Sequence, residues 1–161
     1  MRLDQFTFCF RYFILFCILI ELMEYEYLCP LLSEASDYAG FYPKKWTIQN
    51  ILQQSEYHLI QLSKWLFLNY PFWDLNFEVP FNFSPPICDL IKRDADNFHS
   101  LLKIMLDLKV YKSQNLYLWG ARMADQKGEL EISQILNNMS IAEANIVNLL
   151  LQYEKIDEKF K

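Results

Sequence analysis

Two histidines, three glycines and six prolines are all that 161 residues contain, and each scarcity removes a class of protein. With Gly40, Gly120 and Gly128 standing singly, no glycine-rich cradle for a phosphate can be built. So few glycines and prolines leave few sites for tight turns, which excludes a many-stranded sandwich or barrel and favours long uninterrupted helices. The four cysteines, Cys9, Cys17, Cys29 and Cys88, form no C-x-x-C pair. Three of them lie in apolar segments, where a free thiol behaves as a small hydrophobe and suits a reducing, cytoplasmic compartment. Basic residues are also few: Lys and Arg number 15 against 20 Asp and Glu, for a net charge of −5. Lys44-Lys45 and Lys92-Arg93 are the largest basic clusters, too small to displace counterions from a phosphate backbone, so a nucleic-acid partner is excluded. No nucleophilic triad or nucleotide fingerprint is visible.

What the chain has is apolar bulk, 53% hydrophobic and 17% aromatic residues, ample to fill the core of one domain of this length. The expected fold is all-α, a single domain over residues 1–161. A first helix is expected from Phe6 to Leu32, with Ile14, Ile18, Glu21, Tyr25 and Leu28 on one stripe and Pro30 kinking or ending it. Ser33 to Pro43 reads as a loop. A second helix runs from Lys44 to Asn69 on Ile48, Leu52, Leu59, Leu62 and Leu66, and Tyr70-Pro71 closes it. Residues 71–83 form a long aromatic crossover, after which Ser84-Pro85-Pro86 is a strong start signal for a third helix reaching Met123. Asp125 to Gly128 breaks the chain. The fourth helix, Glu129 to Glu154, carries Ile135, Met139, Ala142, Ile146, Leu149 and Tyr153. Four helices in two pairs joined by one long connection describe an antiparallel bundle with a crossover.

From Phe6 to Met23 only Arg11 and Glu21 interrupt an apolar stretch of bilayer-spanning length. Asp4 and the lack of Ala or Gly near its end argue against a secretory signal. The stretch reads first as a buried or interface helix, with membrane attachment through residues 6–23 as the alternative.

The segment Leu106-Asp107-Leu108-Lys109-Val110-Tyr111-Lys112-Ser113-Gln114-Asn115-Leu116 resembles the third helix of a bacterioferritin, and Ile141-Ala142-Glu143-Ala144-Asn145-Ile146 resembles the metal-binding turn of its fourth. Glu21-Leu22 after an apolar run, and Lys64-Trp65-Leu66-Phe67-Leu68 before the crossover, agree in spacing. The resemblance implies a ferritin-like four-helix bundle whose two halves each supply a Glu on one helix and Glu-x-x-His on the next to hold two irons. Carried over by register, these places fall on Glu21, on Gln54 and Tyr57, on Lys109, and on Ala142 and Asn145. Only Glu21 keeps the ligand type, and no histidine follows His99. A one-residue slip in the second helix places His58 at a ligand position and Ser55 where the carboxylate belongs. The same slip in the fourth recovers Glu143 but leaves Ile146 for the imidazole. The haem-ligating methionine of the family falls near Ser55.

The resemblance thus implies an iron-storage-type subunit with a degraded ferroxidase centre: a non-catalytic structural or shell component with no catalytic residue, no cofactor, and iron only in the slipped register. An ion pair of Glu21 with Lys109 is expected in place of metal. The alternatives are an active metal-binding ferritin relative, or a membrane-attached helical interaction protein. In register with the family, Lys161 is reached before the fifth, pore-lining helix is expected, so the resemblance does not imply a closed shell. The aromatic crossover (Phe72, Trp73, Phe77, Phe81, Phe83) suggests a homodimer or a mixed ferritin-like assembly.

Overall fold

The computed structural model describes residues 10–35, 42–70 and 98–159. Among them every regular element is helical: α1 (Phe10–Ala35), α2 (Tyr42–Asn69), α3 (Phe98–Val110), a π-helical segment (Tyr111–Leu118), α4 (Trp119–Gln126) and α5 (Leu130–Lys159). The chain divides into two compact units, residues 1–79 and 80–161. The crossover and the Ser84-Pro85-Pro86 start lie outside the described residues.

In the first unit α1 packs on α2. Buried positions on α1 are Phe13, Ile14, Cys17, Ile20, Glu21, Glu24 and Leu28, a set at helical spacing that carries carboxylates in its middle. Pro30 does not end the helix, which runs on to Ala35. Pro30 is exposed, so the carbonyl that loses its donor there faces water, and one missing bond is tolerated this close to a helix end. On α2 the buried stripe is Ile48, Ile51, Leu52, Ser55, His58, Leu62, Trp65 and Leu66. The helix ends with two carbonyls satisfied: Asn69 Nδ2 donates to the Trp65 carbonyl at 2.8 Å, and the Tyr70 N–H donates to that of Leu66 at 2.8 Å. No described helix is long and apolar enough to cross a membrane, as Glu21, Glu24 and Glu26 in α1 dictate.

In the second unit α3, the π segment and α4 run on from one another and pack along α5. The expected third helix therefore contains an eight-residue π interruption. Lys112, Ser113, Leu116 and Tyr117 are buried on it. The turn into α5 is a Schellman motif: Gly128 adopts φ 76°, Glu129 N–H donates to the Ala124 carbonyl at 2.9 Å, and Gly128 N–H to that of Asp125 at 3.0 Å. The break read at Asp125 to Gly128 falls here. Ser133 Oγ donates to the Ala121 carbonyl at 2.9 Å, fastening the start of α5 to α4.

Midway along α5 two serines lock the helices reciprocally. Ser113 Oγ donates to the Ser140 carbonyl at 2.9 Å, and Ser140 Oγ donates to the Ser113 carbonyl at 2.8 Å. Both are buried, so each hydroxyl must find a partner or bear its full desolvation cost. Ser140→Ala removes one bond and disturbs its twin, and is expected to destabilise the fold by roughly 1–3 kcal/mol. Urea unfolding of the variant measures this, and an unchanged midpoint would show that the pair contributes nothing.

Candidate functional site

The chemistry-bearing residues gather on the buried faces of the helices, and each unit carries its own set. In the first, Glu21 and Glu24 lie three residues apart on α1, and Ser55 and His58 three apart on α2, all four buried. Glu21 Oε1 lies 3.2 Å from His58 Nδ1, with both side chains excluded from solvent. When Glu21 is ionised it can only accept, and the contact then requires the proton on Nδ1. The Ser55 hydroxyl and the Gln54 Oε1 oxygen are enclosed with no hydrogen-bond partner.

Outside this face, the Tyr25 hydroxyl donates to Glu56 Oε1 at 3.0 Å, an exposed bond between α1 and α2. The Glu56 carboxylate holds the phenol in its protonated form, Cys29 adds to the effect, and the Tyr25 pKa is pushed up to about 12.

The second unit repeats the spacing with other residues. Lys109 and Lys112 stand three apart on the α3–π side, and Ser140 and Glu143 three apart on α5; again all four are buried. Lys109 Nζ lies 2.8 Å from Glu143 Oε2, and Lys112 Nζ lies 2.9 Å from Glu143 Oε1. Each carboxylate oxygen thus has its own ammonium, and every side chain in the cluster has 0% exposure. The Lys112 ammonium also sits 5.8 Å from the centroid of the buried Tyr117 ring, within reach of a cation–π attraction.

Against known proteins, the chain matches no family model, no curated protein and no solved structure.

Of the positions drawn from the resemblance, Glu21 and Lys109 are fully buried, as is His58. Gln54 and Ala142 are half-buried and Asn145 is exposed, while Tyr57 is 60% exposed. Near these positions the buried polar residues are Ser55 and His58 on α2, one place from Gln54 and Tyr57, and Ser140 and Glu143 on α5, one or two from Ala142 and Asn145. Lys112 and Glu24 belong to these faces and were not among the expected positions; their signal was the i, i+3 spacing from Lys109 and Glu21. His99 lies on α3, but its side chain lies outside the described residues.

Two ammoniums on one carboxylate couple the three buried charges. Glu143→Gln takes away the negative charge that both ammoniums approach and should cost on the order of 3–5 kcal/mol. Removing all three charges together, Lys109→Met with Lys112→Met and Glu143→Leu, should recover most of that loss. Denaturant unfolding of the single and triple variants decides it: a neutral Glu143→Gln would mean the cluster is not energetically coupled.

Proposed function

We propose that this chain is a ferritin-like structural subunit in which buried ion pairs stand where the resemblance calls for metal ligands, and that it is neither a ferroxidase nor a catalyst. The observation that carries this reading is Glu143 held between Lys109 and Lys112 at 2.8 and 2.9 Å. A dication approaching that carboxylate would face two fixed positive charges that offer donors only and no lone pair to a metal. The family's di-iron centre needs four carboxylates and two imidazoles, and the residues present do not fit it. In the first hairpin, Ser55 takes the place three residues before His58 where the motif requires Glu.

In this reading the two hairpins close into an antiparallel four-helix bundle with residues 71–83 as its crossover. What supports it is that each hairpin buries a polar set at three-residue spacing, Glu21, Glu24, Ser55 and His58 in the first and Lys109, Lys112, Ser140 and Glu143 in the second, as the two halves of such a bundle do. Tyr57, Ile60, Phe67 and Leu68 stay exposed on α2 at 58–73%, which supports a homodimer or a mixed ferritin-like assembly over a lone chain. Cys17 and Cys29 as free thiols suit a reducing compartment such as the cytoplasm.

One observation favours the alternative of a metal-binding relative. Glu21 and His58 bring a carboxylate and an imidazole within 3.2 Å, the ligand types a divalent iron accepts. The two readings separate on iron. Anaerobic Fe(II) loading followed by oxygen should give no turnover beyond buffer alone, and dialysed protein should retain no stoichiometric iron by elemental analysis. Two irons retained per chain, lost on His58→Ala, would replace the structural reading with the metal-binding one.

A further inference from the structure

The outward face of α5 is anomalous for a surface helix. From Glu131 to Lys155, steps of three and four alternate without a fault through positions 131, 134, 138, 141, 145, 148, 152 and 155, and all eight are exposed. Among the described residues every exposed position between the two end charges is uncharged. A solvated helix face ordinarily carries charges of both signs. The stripe is about 36 Å long at 1.5 Å per residue, and its content is what sets it apart: five amides and one isoleucine between two end charges of opposite sign.

We infer that α5 is a docking face for α5 of a second copy of this chain, the two helices antiparallel about a twofold axis beside residue 143. The stripe is complementary to its own reverse. Antiparallel pairing that matches position 131 with 155 sets Glu131 against Lys155 of the partner subunit at each end, an opposite-charge layer. The next layer inward sets Gln134 against Gln152 of the partner subunit, and the next Asn138 against Asn148 of the partner subunit. At the centre Ile141, 54% exposed, packs beside Asn145 of the partner subunit.

Amides both donate and accept, so like meets like with its hydrogen bonds satisfied. Within one chain Gln134 Nε2 already donates to Asn138 Oδ1 at 2.9 Å, which leaves the Gln134 carbonyl and the Asn138 NH₂ as an acceptor and a donor for the opposite helix. Parallel pairing would instead stack Glu131 on Glu131 and Lys155 on Lys155. A seam of amides gives up affinity for register, as a buried Asn does in a coiled coil, so the contact is a specific and modest one. It rests on α5 alone and does not depend on the ferritin-like reading. Combined with a separate contact through the exposed apolar residues of α2, a second twofold interface builds assemblies larger than a dimer.

Charge exchange at the ends of the stripe tests the inference. Glu131→Lys sets lysine against lysine in both end layers, and Lys155→Glu sets glutamate against glutamate. Sedimentation equilibrium of the full chain over a concentration series should show each single variant associating roughly tenfold more weakly than the unmodified chain. The double variant, and an equimolar mixture of the two singles, restore opposite charges in both layers and should regain the lost association. Helical circular dichroism and unfolding midpoints of every variant serve as the control for folding, because both residues also interact with the ends of the α5 dipole.

The inference is overturned if the unmodified chain is monomeric throughout the series, since the face would then be left to another partner or to water. It is overturned equally if all variants associate alike, which would place self-association on another surface. A mixture that associates more tightly than the unmodified chain would mark a parallel pairing and overturn the antiparallel register.

Discussion

Burying one carboxylate between two ammoniums constrains the second hairpin in a way that apolar contacts do not. Bringing Glu143, Lys109 and Lys112 out of water costs several kcal/mol per ion even after relaxation. That cost is offset only if each charge arrives within hydrogen-bonding reach of an opposite one, as the 2.8 and 2.9 Å separations allow. The register of α5 against the α3–π rod is thereby set in the way a single polar layer sets the register of a coiled coil. A slide of one helical turn along a purely apolar seam exchanges one leucine contact for another; the same slide here parts two buried ion pairs. The reciprocal Ser113–Ser140 bonds lie on the same two helices, with Ser140 one turn before Glu143, and reinforce the same register. The π segment carries part of this constraint, since Lys112 and Ser113 are both buried on it.

The all-helical class, the turn at Gly128 and the start of α5 were legible because each has a local cause: sparse Gly and Pro, a left-handed glycine, a three-four apolar period. The polar faces were legible in kind but not in place. On α5 the apolar stripe can be drawn through Ile135, Met139, Ala142, Ile146 and Leu149, or through Ile132, Leu136, Met139, Ile146 and Leu150. The two share Met139 and Ile146, and a sequence dense in Ile, Leu and Ala satisfies both. Only the second runs through Glu143, and it is the buried one. A rule that keeps ions on the solvent side prefers the first stripe, because it assigns Glu143 to water. That rule fails where two lysines wait on the neighbouring helix, which no reading of α5 alone reveals. The same one-residue ambiguity on α2 separates Gln54 and Tyr57 from the buried Ser55 and His58.

Pro30 illustrates a different limit. The sequence allows Pro30 either to kink or to end the first helix, and α1 continues past it to Ala35. A proline removes one donor and crowds the carbonyl one turn back, which is costly in a dry interior and mild on a wet face close to the helix end. Which face it occupies is a tertiary fact, set by the burial of Glu24 and Leu28 on the other side of α1.

The two hairpins solve one problem with charges of opposite sign. Each places a pair of ionisable residues three apart on its first helix and a serine followed three residues later by an ionisable residue on its second: Glu21 and Glu24 with Ser55 and His58, Lys109 and Lys112 with Ser140 and Glu143. In a metal-binding helical hairpin such places are filled by ligands of one kind, because a cation demands negative or neutral donors on every side. In the second hairpin the positive charge that Glu143 meets is supplied from within the chain, by Lys109 and Lys112, and an ammonium attracts a carboxylate while offering it donors only. The spacing of the buried polar positions is therefore common to the two hairpins, and the sign of the charge placed at them is what differs.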